Sequence, residues 1–215
     1  MNSPAKWLVS VAMTLSLSAC SLLAGKRESL TVYAPRLAHT ATVSPLPAAP
    51  RHWQLWVAPP AALEPLTGTR IAVVQPPGTV QFYKGVRWRD DVPAMLLQLI
   101  IDGLREFAGL AGVGTPASGL HADYVLQSDL SDFQIEFRGA PTPTAVLRIT
   151  LQLVEASSGQ VLALERIVEE EPCADAQPSN VFAAFQTVVN RGVLRIAQWT
   201  AATGDAHWHA EASSE

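Results

Sequence analysis

The clearest pattern in the chain is the alternation of Leu147, Ile149, Leu151 and Leu153 with Arg148, Thr150 and Gln152. A period of two puts the four apolar side chains on one side of an extended backbone, so this stretch predicts a strand with one buried face. The turn Ser157-Ser158-Gly159 follows, and Val161 to Val168 predicts its antiparallel partner. Upstream, Asp123-Tyr124-Val125-Leu126-Gln127 opens a longer extended region that reaches Phe137. Tyr124 and Leu126 share one parity while Phe133, Ile135 and Phe137 share the other, which calls for a bulge near Ser131.

Two segments change to a helical period. From Val92, the positions Leu96, Leu99, Ile100, Gly103, Leu104 and Phe107 recur at three- and four-residue spacing, with Gln98, Asp102, Arg105 and Glu106 towards the other side. Asp90-Asp91 offers N-cap chemistry, Pro93 suits a first turn, and Gly109 to Gly114 stops the helix. Val181, Phe182, Phe185, Val188, Val189, Val193, Ile196 and Trp199 predict a second helix, capped by Ser179 or Asn180 and ended at Gly204. Shorter extended stretches are Leu30-Thr31-Val32-Tyr33, Trp53-Gln54-Leu55-Trp56-Val57, Arg70-Ile71-Ala72-Val73-Val74 and Val80-Gln81-Phe82-Tyr83. The last two form an edge hairpin across Pro76-Pro77-Gly78. The order strands, helix, strands, helix, joined by short turns, predicts an α+β fold: a mainly antiparallel sheet with two long amphipathic helices packed on one face.

Composition narrows the class. Hydrophobic residues at 48% and charged residues at 16% describe a folded chain. A net charge of −4 argues against nucleic acid as a partner and against a polybasic membrane-binding surface.

The N-terminus carries targeting information. Lys6 precedes a mostly apolar run from Trp7 to Leu17, the layout of a signal peptide and too short for a membrane span. Leu17-Ser18-Ala19-Cys20 resembles the lipobox of bacterial lipoproteins, in which the Cys thiol takes a diacylglycerol and the chain is cleaved before it. Two or more acyl chains hold a protein stably where one does not. Cys20 is therefore the expected lipidation site, and that covalent lipid is the only prosthetic group expected. Removing 19 of the 215 residues leaves 196 and a net charge of −5. The chain then divides into a signal peptide over 1–19, a lipidated leader over 20–29, a domain over 30–203 with a Pro-rich loop at 35–50, and a disordered tail over 204–215. Cys173, the second cysteine, is left an unpaired thiol among Glu170, Glu171 and Asp175, neighbours that disfavour the thiolate.

Val86-Arg87-Trp88-Arg89-Asp90-Asp91-Val92-Pro93, preceded by Ile71-Ala72-Val73-Val74 and a Tyr-containing hairpin, resembles the signature of the ABC-type transport auxiliary lipoproteins. These are the PqiC-like family that accompanies MCE-type transporters. Phe182-Ala183-Ala184-Phe185 through Ile196-Ala197-Gln198-Trp199 is similar to the family's final helix. The resemblance implies a non-enzymatic lipoprotein anchored in the outer membrane and facing the periplasm, which docks an MCE/ABC lipid-transport complex there. The alternative is a lipoprotein that binds a lipid or small molecule in a cavity between sheet and helices, of about 300 Å³ or more. Unpaired strand edges or exposed apolar helix faces would favour a homo-oligomer.

Arg87, Trp88 and Arg89 are the candidate partner-binding residues, because Trp and Arg are enriched in binding hot spots. The opposing reading packs Trp88 against the helix start while the arginines snorkel or pair with Asp90 and Asp91. His207-Trp208-His209 has a chelating spacing but no third ligand, so no metal is expected. Asp129 and Asp132 read as solvated acids, and Glu169-Glu170-Glu171 as part of an acidic loop. The sequence holds no Gly-x-Ser-x-Gly elbow, phosphate loop or His-Glu-x-x-His helix, so no catalytic residues are assigned.

Overall fold

The computed structural model describes residues 30–38 and 51–212. The expected signal peptide, the expected lipidation site Cys20 and most of the Pro-rich stretch lie outside the described residues.

Three long strands dominate: β8 (Tyr124–Glu136), β9 (Thr144–Glu155) and β10 (Val161–Pro172) form an antiparallel meander. The register of β8 against β9 shifts between Leu130 and Asp132, which puts the expected bulge at Ser131. That extra residue lets Tyr124, Leu126, Phe133 and Ile135 all reach the same buried side despite their opposite parities.

Earlier strands are shorter: β1 (Thr31–Tyr33), β2 (Leu55–Val57), β3 (Ala61–Ala62), β4 (Ala72–Gln75), β5 (Thr79–Phe82), β6 (Val86–Trp88) and β7 (Val113–Gly114). β2, β3 and β4 follow one another along the free edge of β8, all parallel to it, with Leu55 opposite Tyr124, Ala61 opposite Asp129 and Ala72 opposite Gln134. The sheet is therefore mixed, with its longest pairs antiparallel. Helix α1 (Val92–Phe107) lies in the connection back to β8 and supplies the crossover that a parallel pairing requires. β4 and β5 make the expected hairpin, and β1 pairs with β6 as a separate parallel ribbon.

The second helix, α2 (Pro178–Ala212), lies across β9 and β10, while α1 packs beside it and on β2 and β7. The two helices cross closely because Gly103 leaves room: a Cβ there would sit 2.1 Å from Val193 Cγ1. Asp91 stands at the N-cap of α1 without a side-chain cap bond. At the start of α2 the capping falls to Asp175, whose Oδ1 accepts from Gln177 N and Asn180 Nδ2.

Two expectations are corrected here. α2 does not end at Gly204, and residues 205–212 are helical rather than a disordered tail. The glycine serves packing: a Cβ at Gly204 would lie 2.5 Å from Trp53 Cζ2, and the next residue, Asp205, accepts bonds from Trp53 Nε1 and Arg51 Nε. Anchored there, the helix gains tertiary contacts that outweigh the roughly 1 kcal/mol helix penalty of a glycine. Glu169, Glu170 and Glu171 belong to β10 rather than to a loop. Glu169 and Glu171 are ion-paired at 3.0 Å to Arg191 on α2, and Glu169 also to Arg195 at 2.9 Å.

Candidate functional site

β6 carries the candidate patch, and its pleat separates the three residues. Val86 and Trp88 point inward, so Arg87 and Arg89 point outward. Trp88 is 0% exposed, with its ring centroid 4.9 Å from Phe185 and 5.3 Å from Phe133. Those two rings lie 4.8 Å apart and complete an aromatic cluster joining β6, β8 and α2. Trp88 is therefore a core residue and unavailable to a partner. The alternation of Val86 and Trp88 was the signal for this. Asp90 and Asp91 do not pair with the arginines; Arg87 reaches only the Trp88 carbonyl, at 3.4 Å.

The segment entering the domain is held firmly. β1 is opposite β6, with Val32 across from Arg87 on the outer side, and Tyr33 stacks on Phe182 at 4.6 Å. Arg36 N donates to Gln186 Oε1 at 3.1 Å, Gln186 Nε2 donates back to the Arg36 carbonyl, and Ala38 N donates to Asn190 Oδ1 at 2.8 Å. Gln186 and Asn190, one turn apart on α2, thus form a polar rail for residues 36–38. Sequence reasoning missed this rail, although two amides four residues apart in an apolar helix were its signal.

On the face of the sheet away from the helices, Arg148 bridges Asp132 at 2.8 Å, Glu136 at 3.0 Å and Glu170 at 3.0 Å, and Arg138 joins Glu136 and Glu170. Hydrogen bonds from Arg138 and then Arg148 hold the Glu170 carboxyl down at about 2. Burial raises Glu136, but bonds from Arg138, Gln134 and Arg148 leave it below its ordinary value. Asp132 is thus a member of this network rather than a solvated acid.

Cys173 is buried and its thiol is pushed up to about 11, by burial first and then by Asp175 and Glu171. It is a packing residue with little thiolate character. His207 and His209 sit two residues apart on α2, on different faces of the helix. Among the described residues, no three His, Cys, Asp or Glu gather as a metal site, and no helix is long and apolar enough to cross a membrane.

Two openings among the described residues, about 670 and 540 Å³, are grooves. One runs between residues 35–37 and α1, and the other between residues 61–66 and β8; neither is lined by both the sheet and a helix. The interior between those layers is filled by Trp53, Trp88, Phe133, Phe185 and aliphatic side chains. The cavity that the lipid-binding alternative requires is not among these openings.

The described residues thus form a filled two-layer α+β domain whose strand β1 is strapped to its last helix. The sequence profile of the ABC-type transport auxiliary lipoprotein component matches residues 36–197, and the chain belongs to that family. A crystal structure of a Xanthomonas campestris protein of the DUF330 family is similar at 28% identity and a TM-score of 0.74, covering 83% of this chain and 99% of that one. An uncharacterized protein of solved structure, 14% identical, shares the fold at a TM-score of 0.61 over 80% of this chain and 99% of its own. No curated protein matches the sequence.

Proposed function

We propose that the protein is a periplasm-facing lipoprotein of the outer membrane, anchored through lipid on Cys20, which docks an MCE-type ABC lipid-transport complex without catalysing a reaction. The family match over residues 36–197 carries this reading. The geometry supports it through the fixed entry of the chain. β1 is locked between β6 and α2, so only ten residues, 21–30, separate Cys20 from a rigid domain. Fully extended, they reach no more than about 40 Å. A tether of that length holds the docking surface near the bilayer and raises its effective concentration towards any companion spanning the same gap.

The test is fractionation of cell envelopes. Cys20→Ala should leave the domain folded and release it from membranes washed in raised salt, which removes ionic adsorption; continued sedimentation of the variant with salt-washed outer membranes would contradict the anchor.

A further inference from the structure

Among the described residues, the sheet ends on one side in β10, twelve residues long, and on the other in β5 and β7, four and two residues long. A free strand edge offers unpaired N–H and C=O groups to any other strand, and a short edge limits that offer by its length. β10 has no such limit, and Leu164 and Val168 on it are 59% and 39% exposed. A long edge with apolar side chains needs another form of protection.

The ladder decides which groups of β10 are free. Cys173 N donates to the Pro143 carbonyl, and this contact continues the register that sets Glu171 opposite Ala145. Hydrogen-bonded pairs recur at every second residue of an antiparallel ladder. From Ala163 onward, the odd positions of β10 therefore bond to β9 and the even ones face out, so Leu164, Arg166, Val168 and Glu170 carry the free edge.

Two of those four carbonyls are already taken. Arg191 Nη2 donates to the Glu170 carbonyl at 2.6 Å, and Arg195 Nη1 to the Val168 carbonyl at 3.4 Å. The two arginines stand one turn apart on α2, and the Glu169 carboxylate holds both guanidinium groups, at 3.0 and 2.9 Å. The fork of donors on arginine lets one side chain serve a carboxylate and a carbonyl together. The ends of the strand are closed differently: the register shifts at Leu162, between Val161 and Ala163, and Pro172 has no N–H to give. Only Leu164 and Arg166 keep both outward groups, and a run of two is a poor footing for a strand from another molecule.

We propose that Arg191 and Arg195 guard the edge of the sheet, closing β10 against strand addition by a second copy of this chain. The second copy is the partner to exclude because a bare β10 is complementary to itself. Paired antiparallel about Val168, its outward residues set Arg166 against Glu170 of the copy twice over, Val168 against Val168, and Leu164 against Pro172. Opposite charges and apolar pairs facing across strands stabilise such a pairing. A domain confined to one leaflet, as proposed above, meets its copies at raised effective concentration, where an open edge does most harm. The arginine contacts themselves do not depend on that confinement.

The test uses the chain from residue 20 onward with Cys20→Ser, which keeps every buried member of the core cluster, from Trp53 to Ala201. Sedimentation velocity is measured over a range of concentrations, after near-ultraviolet circular dichroism has shown each variant folded. Arg191→Ala with Arg195→Ala should shift the main species to about twice the wild-type mass as concentration rises. Adding Val168→Pro should return it to the wild-type mass, because a proline there removes an outward N–H and leaves the ladder to β9 intact. Arg166→Ala, on the same edge but bonded to none of its carbonyls, should leave the mass unchanged. Arg191→Lys with Arg195→Lys keeps the charge opposite Glu169 and gives up the fork; the same shift is expected, and this pair carries the test if the alanine pair does not fold. A pair of folded variants that stays at the wild-type mass, or a larger species that survives Val168→Pro, would overturn the proposal. So would a wild-type assembly that Val168→Pro takes apart, since β10 would then be an interface in use.

Discussion

Trp88 shows how one side chain can be misread from its neighbours. Flanked by Arg87 and Arg89 and followed by two acids, it has the company of a binding hot spot, yet its ring closes the core against Phe133 and Phe185. Truncating a fully buried aromatic removes its transfer free energy and leaves a cavity, so Trp88→Ala should lower stability by about 3–5 kcal/mol in urea unfolding. Arg89→Ala, at an exposed position without a side-chain partner, should stay within about 0.5 kcal/mol. Comparable losses at the two sites would contradict the assignment of Trp88 to the core. The inward parity of Val86 and Trp88 was legible in the sequence. What lay hidden was the partner surface, because Phe133 and Phe185 arrive from 45 and 97 residues further along the chain.

At the scale of elements, the periodicity of β9 and α1 was readable because each buries one continuous face against a neighbour. The ends of β10 and α2 were not, because long-range partners set them. β10 extends through Glu169-Glu170-Glu171 since Arg191 and Arg195 on one side, and Arg138 and Arg148 on the other, neutralise the acids there. This has a consequence in acid. The Glu170 carboxyl sits at about 2 in the fold against an ordinary value of 4.5, so the unfolded chain binds its proton at higher pH than the folded one. Its contribution to stability is therefore complete above pH 4.5 and is lost as pH falls towards 2. Melting temperatures measured across that window should fall for the wild type and fall less steeply for Glu170→Gln. An unchanged slope in the variant would show that the ionic network does not act through Glu170.

For the whole molecule, the α+β class followed from the order of elements, but the parallel edge of the sheet did not. β2, β3 and β4 are each too short to declare a direction, and only α1, acting as a crossover, lets them run alongside β8. The proposed function is that of a lipid-held domain working beside a transport complex. The most direct measurement is crosslinking of the native envelope followed by mass spectrometry of the purified protein and its attached neighbours. The expected result is an acylated N-terminal residue at Cys20 and crosslinks to components of an MCE-type ABC transporter. A first residue other than Cys20, an unmodified Cys20 thiol, or neighbours that include no transporter component would contradict it.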